Sequence, residues 1–321
     1  MSRRGAALFA AMCVIWGVPY LLIKVAVGEV SPAVVVLART AVGALLLVPV
    51  AAARGQLRPL LPRWKALLSY TVIEICVPWL LLGFAEQRIS SSLAGLLIAA
   101  VPIVGVALSR VPSLSSGAAP EPLTRTRLVG LLMGVAGVAA LVGLDVGSAS
   151  WAAVLALAGV AVCYAWGPAL LARHLSDLPG LGVVAGSLVL AALLSLPLAV
   201  PQLPSTVPSG PVLLALLGLA VVCTATAFLV FFVLVAEIGP ARATVITYVN
   251  PAVAVLLGVA VLGEPLTATT LAGFALVLAG SVLATRRGAP AAVEPAVTVP
   301  AQPAAREALA PAAAEQARPT G

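Results

Sequence analysis

From Gly5 to Thr285 the chain alternates between apolar stretches of about twenty residues and short links that hold its charges and helix breakers. An α-helix rises about 1.5 Å per residue, so about 20 apolar residues cross the roughly 30 Å hydrocarbon core of a bilayer. Ten stretches qualify, at 5–27, 33–53, 66–84, 90–111, 127–144, 150–171, 180–200, 211–235, 241–262 and 269–285. The links read "EVSP", "RGQLRPLLPR", "HLSDLPG", "PQLPSTVPSGP" and "GEPLT". In lipid every backbone polar group must be satisfied within the protein, and stretches of this length do so as helices. The expected fold class is therefore all-α integral membrane, with ten transmembrane helices. Composition agrees. Only 9% of residues are charged and 62% are apolar, against roughly 25% charged in a soluble domain, too few charges to coat a water-facing surface.

The charges also set a direction. With the N-terminus cytoplasmic, inside segments hold Arg3, Arg4, Arg54, Arg58, Arg63, Lys65, Arg110, Arg125, Arg127, Arg173, Arg242, Arg286 and Arg287, and outside segments hold Lys24 and Arg88. Basic residues concentrate on the cytoplasmic side of membrane proteins, so both termini are expected in the cytoplasm and the chain in the cell membrane. The net charge of +7 is scattered between apolar runs and forms no basic module, so no nucleic-acid partner is expected. The first apolar run follows Arg3 and Arg4 as in a signal peptide, yet continues to Val27 without a cleavage site and reads as a retained span. Cys13, Cys76, Cys163 and Cys223 lie in apolar runs without a CxxC pair, and His174 is the single histidine, so the sequence calls for no metal and no cofactor. Residues 288–321, rich in Ala, Pro, Glu and Gln, read as a disordered cytoplasmic tail.

A short phrase occurs twice. "CVIWGVP" begins at Cys13 and "CYAWGPA" at Cys163, an offset of 150. The register persists: Glu86 aligns with Glu237 at an offset of 151, Pro102 with Pro251 at 149, and "EPLT" at Glu121 with "EPLT" at Glu264 at 143. The last drop fits the extra loop "PSLSSGAAP" before Glu121. The chain is thus two five-helix halves, 5–144 and 150–287, followed by the tail. An odd number of spans per half turns the second upside down relative to the first. Inverted repeats of this kind recur in secondary transporters, with the substrate site between the halves.

These residues carry a resemblance. "IWGVPYLLIKVA" at 15–26, Arg39 in the second span, "SSSLAGLLIAAVPIVGVAL" at 91–109 and "ARATVITYVNPAVAVLLGVAVLGEPLT" at 241–267 resemble the EamA family of the drug/metabolite transporter superfamily. The resemblance covers about 5–285 and departs at Pro120, where the family has Gly before the Glu. It implies a ten-helix carrier, often an exporter of amino acids, their relatives or other small metabolites.

Two charges lie inside spans. Glu74 is near the middle of the third, and Arg39, about six residues into the second, is its expected partner by depth. A charge at bilayer depth costs a few kcal/mol and faces a cavity or a partner. Glu74 aligns with Ala225 and Arg39 falls near Val189, so the second half lacks the pair, and substrate or proton work explains the asymmetry better than folding does. Trp16 and Trp166 read either as walls of a central cavity or as interfacial anchors, and Tyr164, Tyr248 and Asn250 add polar groups at mid-span. Pro102 and Pro251, equivalent by repeat, are candidate hinges because proline frees a backbone carbonyl. Glu121 and Glu264 read as first-turn acids of the last helix of each half, favoured by its dipole. Lys24 and His174 read as helix-end residues.

The expected function is secondary transport of a small molecule, exported by alternating access and proton-coupled, with a homodimer compatible with the sequence. "GxxxxGK[ST]" does not occur, so the sequence offers no ATP site. The competing class is a membrane-embedded enzyme, which would need clustered catalytic acids or histidines where Glu74 stands nearly alone.

Overall fold

The computed structural model describes residues 2–114, 123–145, 151–239, 243 and 245–285. Among these residues the secondary structure is helical, with no strand. Ten spans follow: α1 (Arg3–Ala26) and α2 (Pro32–Ala53), α3 (Arg58–Glu86) and α4 (Ser91–Leu108), α5 (Arg125–Asp145) and α6 (Trp151–His174), α7 (Gly180–Gln202) and α8 (Gly210–Ile238), α9 (Ile246–Leu262) and α10 (Ala268–Thr285). The third span begins earlier than its apolar run at 66–84, because "RPLLPR" continues it outward as a 3-10 turn, Arg58–Arg63. Serines start several helices by accepting an orphan amide: Ser2 Oγ from Gly5 N at 2.9 Å, Ser31 Oγ from Val34 N at 3.4 Å and Ser90 Oγ from Leu93 N at 3.1 Å.

The packing is reciprocal. Helix α1 lies against α8 and α9, the third and fourth helices of the second half, and α6 lies against α3 and α4 of the first. The second helices, α2 and α7, pair with each other, as do the fifth helices, α5 and α10. With five crossings per half, this reciprocity is that of two inverted repeats. The α5–α10 seam is built from small residues: a side chain at Gly137 would strike Val277 N at 2.7 Å and Gly273 O at 2.8 Å, the close approach that drives helix association in lipid. Large apolar residues ring the outside, Leu45, Leu155, Leu214 and Leu256 each being more than two-thirds exposed, as a lipid-facing surface requires.

Both halves depart from α-helix at the same place. Val72–Cys76 of α3 and Gly218–Thr226 of α8 are π-helical, a wide turn that frees backbone groups and re-aims side chains. Helix α4 breaks at Ala99–Ala100, just before Pro102. The loosened Ala99 carbonyl accepts a bond from Ser281 Oγ of α10 at 2.8 Å, which satisfies it without water. Glu121, Arg242 and the 288–321 tail lie outside the described residues.

Candidate functional site

Each π segment serves one of the two charges that lie inside spans. Arg39, 7% exposed on α2, reaches the π segment of α8. Its Nε donates to Thr224 Oγ1 at 2.7 Å and its Nη2 to the Cys223 carbonyl at 3.4 Å. Its guanidinium carbon stands 3.6 Å from the centre of the Trp79 ring of α3, a cation–π stack. Thr224 is itself held by donating to Leu219 O, five residues back, at 2.8 Å. Every partner of Arg39 named here is neutral.

Glu74 points elsewhere. It lies in the π segment of α3 and is seated against Gly167 of α6, where any side chain would collide with its carboxyl. Its Oε2 is buried without a hydrogen-bond partner. Its polar neighbours are Tyr70, Cys163 and Tyr164. The expected Glu74–Arg39 ion pair is therefore not formed. Equal depth does not give equal azimuth: the wide turn of α8 offers the guanidinium a hydroxyl and a carbonyl, while the Glu74 side chain faces α6. Tyr164 of α6 is within electrostatic reach of both charges, and Tyr20 of α1 within reach of Arg39 and Tyr164. Tyr164 thus interacts electrostatically with both charges, and the Trp79 ring covers the Arg39 guanidinium. An apolar cavity of about 230 Å³ between α4, α5 and α6 is lined by residues such as Leu97, Ile103, Val138 and Leu157 and is separate from these charges.

Other expected site residues are distributed differently. Trp16 packs on α8, 4.8 Å from Phe231 and 6.2 Å from Phe228 between ring centres, and among the described residues no ring contact joins it to Trp166. Gly17 and Gly167, the matched glycines of the repeated phrase, serve different neighbours: Gly17 admits Val253 and the Asn250 carbonyl of α9. With its amide oriented so that both groups find partners, the Asn250 nitrogen donates to Ile246 O at 3.0 Å and Cys13 O at 3.2 Å, tying α9 to α1. Tyr248 is the third residue of α9, and its hydroxyl shares a 2.8 Å hydrogen bond with Thr285 Oγ1 at the end of α10. In the described helix α9 it lies near one end. Glu264 does not open α10, which begins at Ala268. It caps α4 in the other half: Oε1 accepts from Ser91 N at 2.7 Å and Ser91 Oγ at 2.9 Å, and Oε2 from Ser92 N at 2.9 Å and Ser92 Oγ at 2.5 Å. The acid does favour a helix dipole, but that of α4, because Gly263 ends α9 in a left-handed turn, φ 65°, and directs the chain back across α4.

The model of the EamA-like transporter family matches residues 3–143 and again 151–286, once for each half. The chain belongs to the EamA-like transporter family. As an EamA-like transporter it falls in the drug/metabolite transporter superfamily and is a multi-pass membrane protein. It is 29% identical over 267 residues to the uncharacterized inner membrane transporter YedA of Escherichia coli, covering 81% of this chain and 83% of the relative. It is 29% identical over 280 residues to the uncharacterized transporter YvbV of Bacillus subtilis, covering 86% and 90%. A crystal structure aligns with a TM-score of 0.61 at 22% identity over 88% of this chain and 96% of that one, which shows the fold.

In this EamA-like transporter the sequence reading overlooked Trp79, Thr224 and Tyr20. Thr224 sits beside Ala225, the repeat mate of Glu74, and that adjacency was the available signal.

Proposed function

We propose that this transporter exports a small zwitterionic metabolite, an amino acid or a related compound, by alternating access in exchange for protons, with both termini in the cytoplasm of a cell membrane. The observation that carries this reading is a pair of opposite needs on the two sides of Tyr164's electrostatic reach. Glu74 presents a buried carboxyl oxygen without a donor, and Arg39 presents a buried guanidinium whose named partners are all neutral. A buried ion is strongly disfavoured until it is compensated. A zwitterion supplies both compensations at once, its ammonium to Glu74 and its carboxylate to Arg39, and Tyr164 interacts electrostatically with both side chains. Glu74 takes one cation at a time, either a proton or the ammonium, so loading substrate releases a proton and releasing substrate recovers one. That exchange is the coupling.

The fold supplies the movement. The two inverted halves meet where Arg39 reaches Thr224, and each has a proline at the matched position: Pro102 follows the break in α4, and Pro251 is buried inside α9. We assign them as the hinges. The positive-inside pattern supports the orientation. The test is uptake of radiolabelled amino acids into proteoliposomes, with and without a pH gradient. Uptake above that of empty liposomes and stimulated by the gradient is expected. Uptake of a substrate that lacks either charge, at equal rate and indifferent to the gradient, would contradict the proposal.

A further inference from the structure

An even number of spans places both ends of the helical body on one face, and the repeat makes the two faces comparable residue by residue. On the face away from the termini, Glu86 is fully buried at the end of α3, and neither carboxyl oxygen has a hydrogen-bond partner. Its repeat mate on the terminal face, Glu237, is exposed and accepts from Ser2 Oγ at 2.6 Å. Leu96 of α4 is 0% exposed, and its mate Val245 is 44% exposed. Lys24, which ends α1, donates to Glu86 O at 2.6 Å and Ile89 O at 2.7 Å, whereas its mate His174 is exposed. Beneath this layer α4 and α9 touch. A side chain at Gly95 would overlap Ala254 at 2.7 Å, while one at Gly105, nearer the terminal face, finds only Ala165 at 3.9 Å. Among the described residues, the far face is the more tightly packed of the two.

We propose that Glu264 and Lys24 are the gating residues of the far face, and that this face opens only when the Glu264 clasp on Ser91 and Ser92 lets go. The clasp joins the α9–α10 link of the second half to the start of α4 in the first, so relative movement of the halves at this face must break it. All four donors of the clasp belong to the first turn of α4, and a charged acceptor makes such bonds roughly twice as strong as neutral ones. Lys24 holds the end of α3 to α1 in the same layer, and Glu86 lies beneath it. When the layer parts, the buried Glu86 carboxyl reaches water and Lys24 is free to pair with it, which offsets the lost clasp. Glu237, the repeat mate of Glu86, is already at the surface. The proposal uses the transport reading only for its second test.

The first test is accessibility in detergent-purified full-length protein whose four native cysteines are replaced by Ala. Ala254→Cys, under the clasp, should react slowly with a membrane-impermeant maleimide. Adding Glu264→Ala should speed that reaction at least tenfold, with Glu264→Gln in between, because it keeps one acceptor oxygen. Val160→Cys, equally buried on α6, should stay unreactive in both. If Ala254→Cys does not fold, Leu96→Cys reports instead. Equal rates with and without Glu264 overturn the gate, and so does a parallel rise at Val160→Cys, which would mean general loosening. The second test bridges Ser92→Cys and Glu264→Cys with a short bifunctional, thiol-reversible reagent. Bridging should abolish uptake and reduction should restore it. Uptake that continues while bridged overturns the proposal. If no variant transports anything, the transport reading fails while the labelling rates still decide the gate.

Discussion

The repeated phrase places a glycine at residues 17 and 167, and the structure predicts opposite consequences for adding one methyl group to each. At Gly17 the methyl would meet Val253 Cγ1 at 2.6 Å and the Asn250 carbonyl at 3.1 Å. A β-branched side chain inside a helix and a backbone oxygen have little freedom to yield. Overpacking of this kind typically costs about 1–3 kcal/mol, and Gly17→Ala belongs at the upper end. At Gly167 the methyl would meet the Glu74 carboxyl, with Cδ at 2.8 Å and Cβ at 3.2 Å. A carboxyl can swing aside, so the stability loss should stay near 1 kcal/mol, the low end of that range. The functional loss should be far larger, because displacing a reacting group by about 1 Å can reduce rate on the order of 100-fold. Thermal melts followed by gel filtration, together with uptake into proteoliposomes, separate the two. Gly17→Ala should lower the melting temperature more than Gly167→Ala, while Gly167→Ala should transport poorly at normal yield. Adding Glu74→Asp to Gly167→Ala withdraws the carboxyl by one methylene and should recover part of the activity. Wild-type transport by Gly167→Ala would refute the argument that Glu74 must sit where it does.

Thr224→Val keeps the shape of the threonine but removes the Nε partner of Arg39, and should raise KM several-fold while the protein folds normally. Because Arg39 and Glu74 are not paired in the unloaded protein, the stability losses from Arg39→Ala and Glu74→Gln, measured by unfolding titrations, should add in the double variant. Ser281→Ala leaves the Ala99 carbonyl without its donor at the break in α4. Interhelical hydrogen bonds in lipid average about 0.6 and reach about 1.7 kcal/mol, and unfolding titrations should find a loss within that range. Burial pushes the Glu264 carboxyl up, but the hydrogen bonds from Ser92 and Ser91 outweigh it and hold the group below the usual carboxylate range. A depressed value stabilises the fold fully above the unfolded pKa of about 4.3, and that stability is lost as pH falls from there through the folded value. Melting temperature should therefore fall more steeply below about pH 4.3 in the wild type than in Glu264→Gln.

Ten spans and two halves were legible because both are written along the chain, in the length of the apolar runs and in matched residues at a nearly constant offset. The partners of the charges were not. Depth in a span follows from counting residues, but the direction a side chain takes depends on local winding, and the π segments of α3 and α8 carry no hydropathy signature. So Arg39 turned to Thr224 and the Cys223 carbonyl, and Glu74 to the gap at Gly167. Glu264 was read with its own helix because capping rules are local, whereas its serines lie 173 and 172 residues away. Glu86 was noticed only as the mate of Glu237, since sequence equivalence hides a difference in burial that arises when one face closes.

In the proposed cycle Glu74 exchanges a proton for a substrate cation. The direct measurement is proton movement itself, followed with a pH-sensitive dye trapped in proteoliposomes when substrate is added without an imposed gradient. The wild type should move protons opposite to substrate, and Glu74→Gln should show none while still exchanging labelled for unlabelled substrate. Substrate-driven proton movement that persists undiminished in Glu74→Gln would contradict the account and move the coupling site elsewhere in the chain.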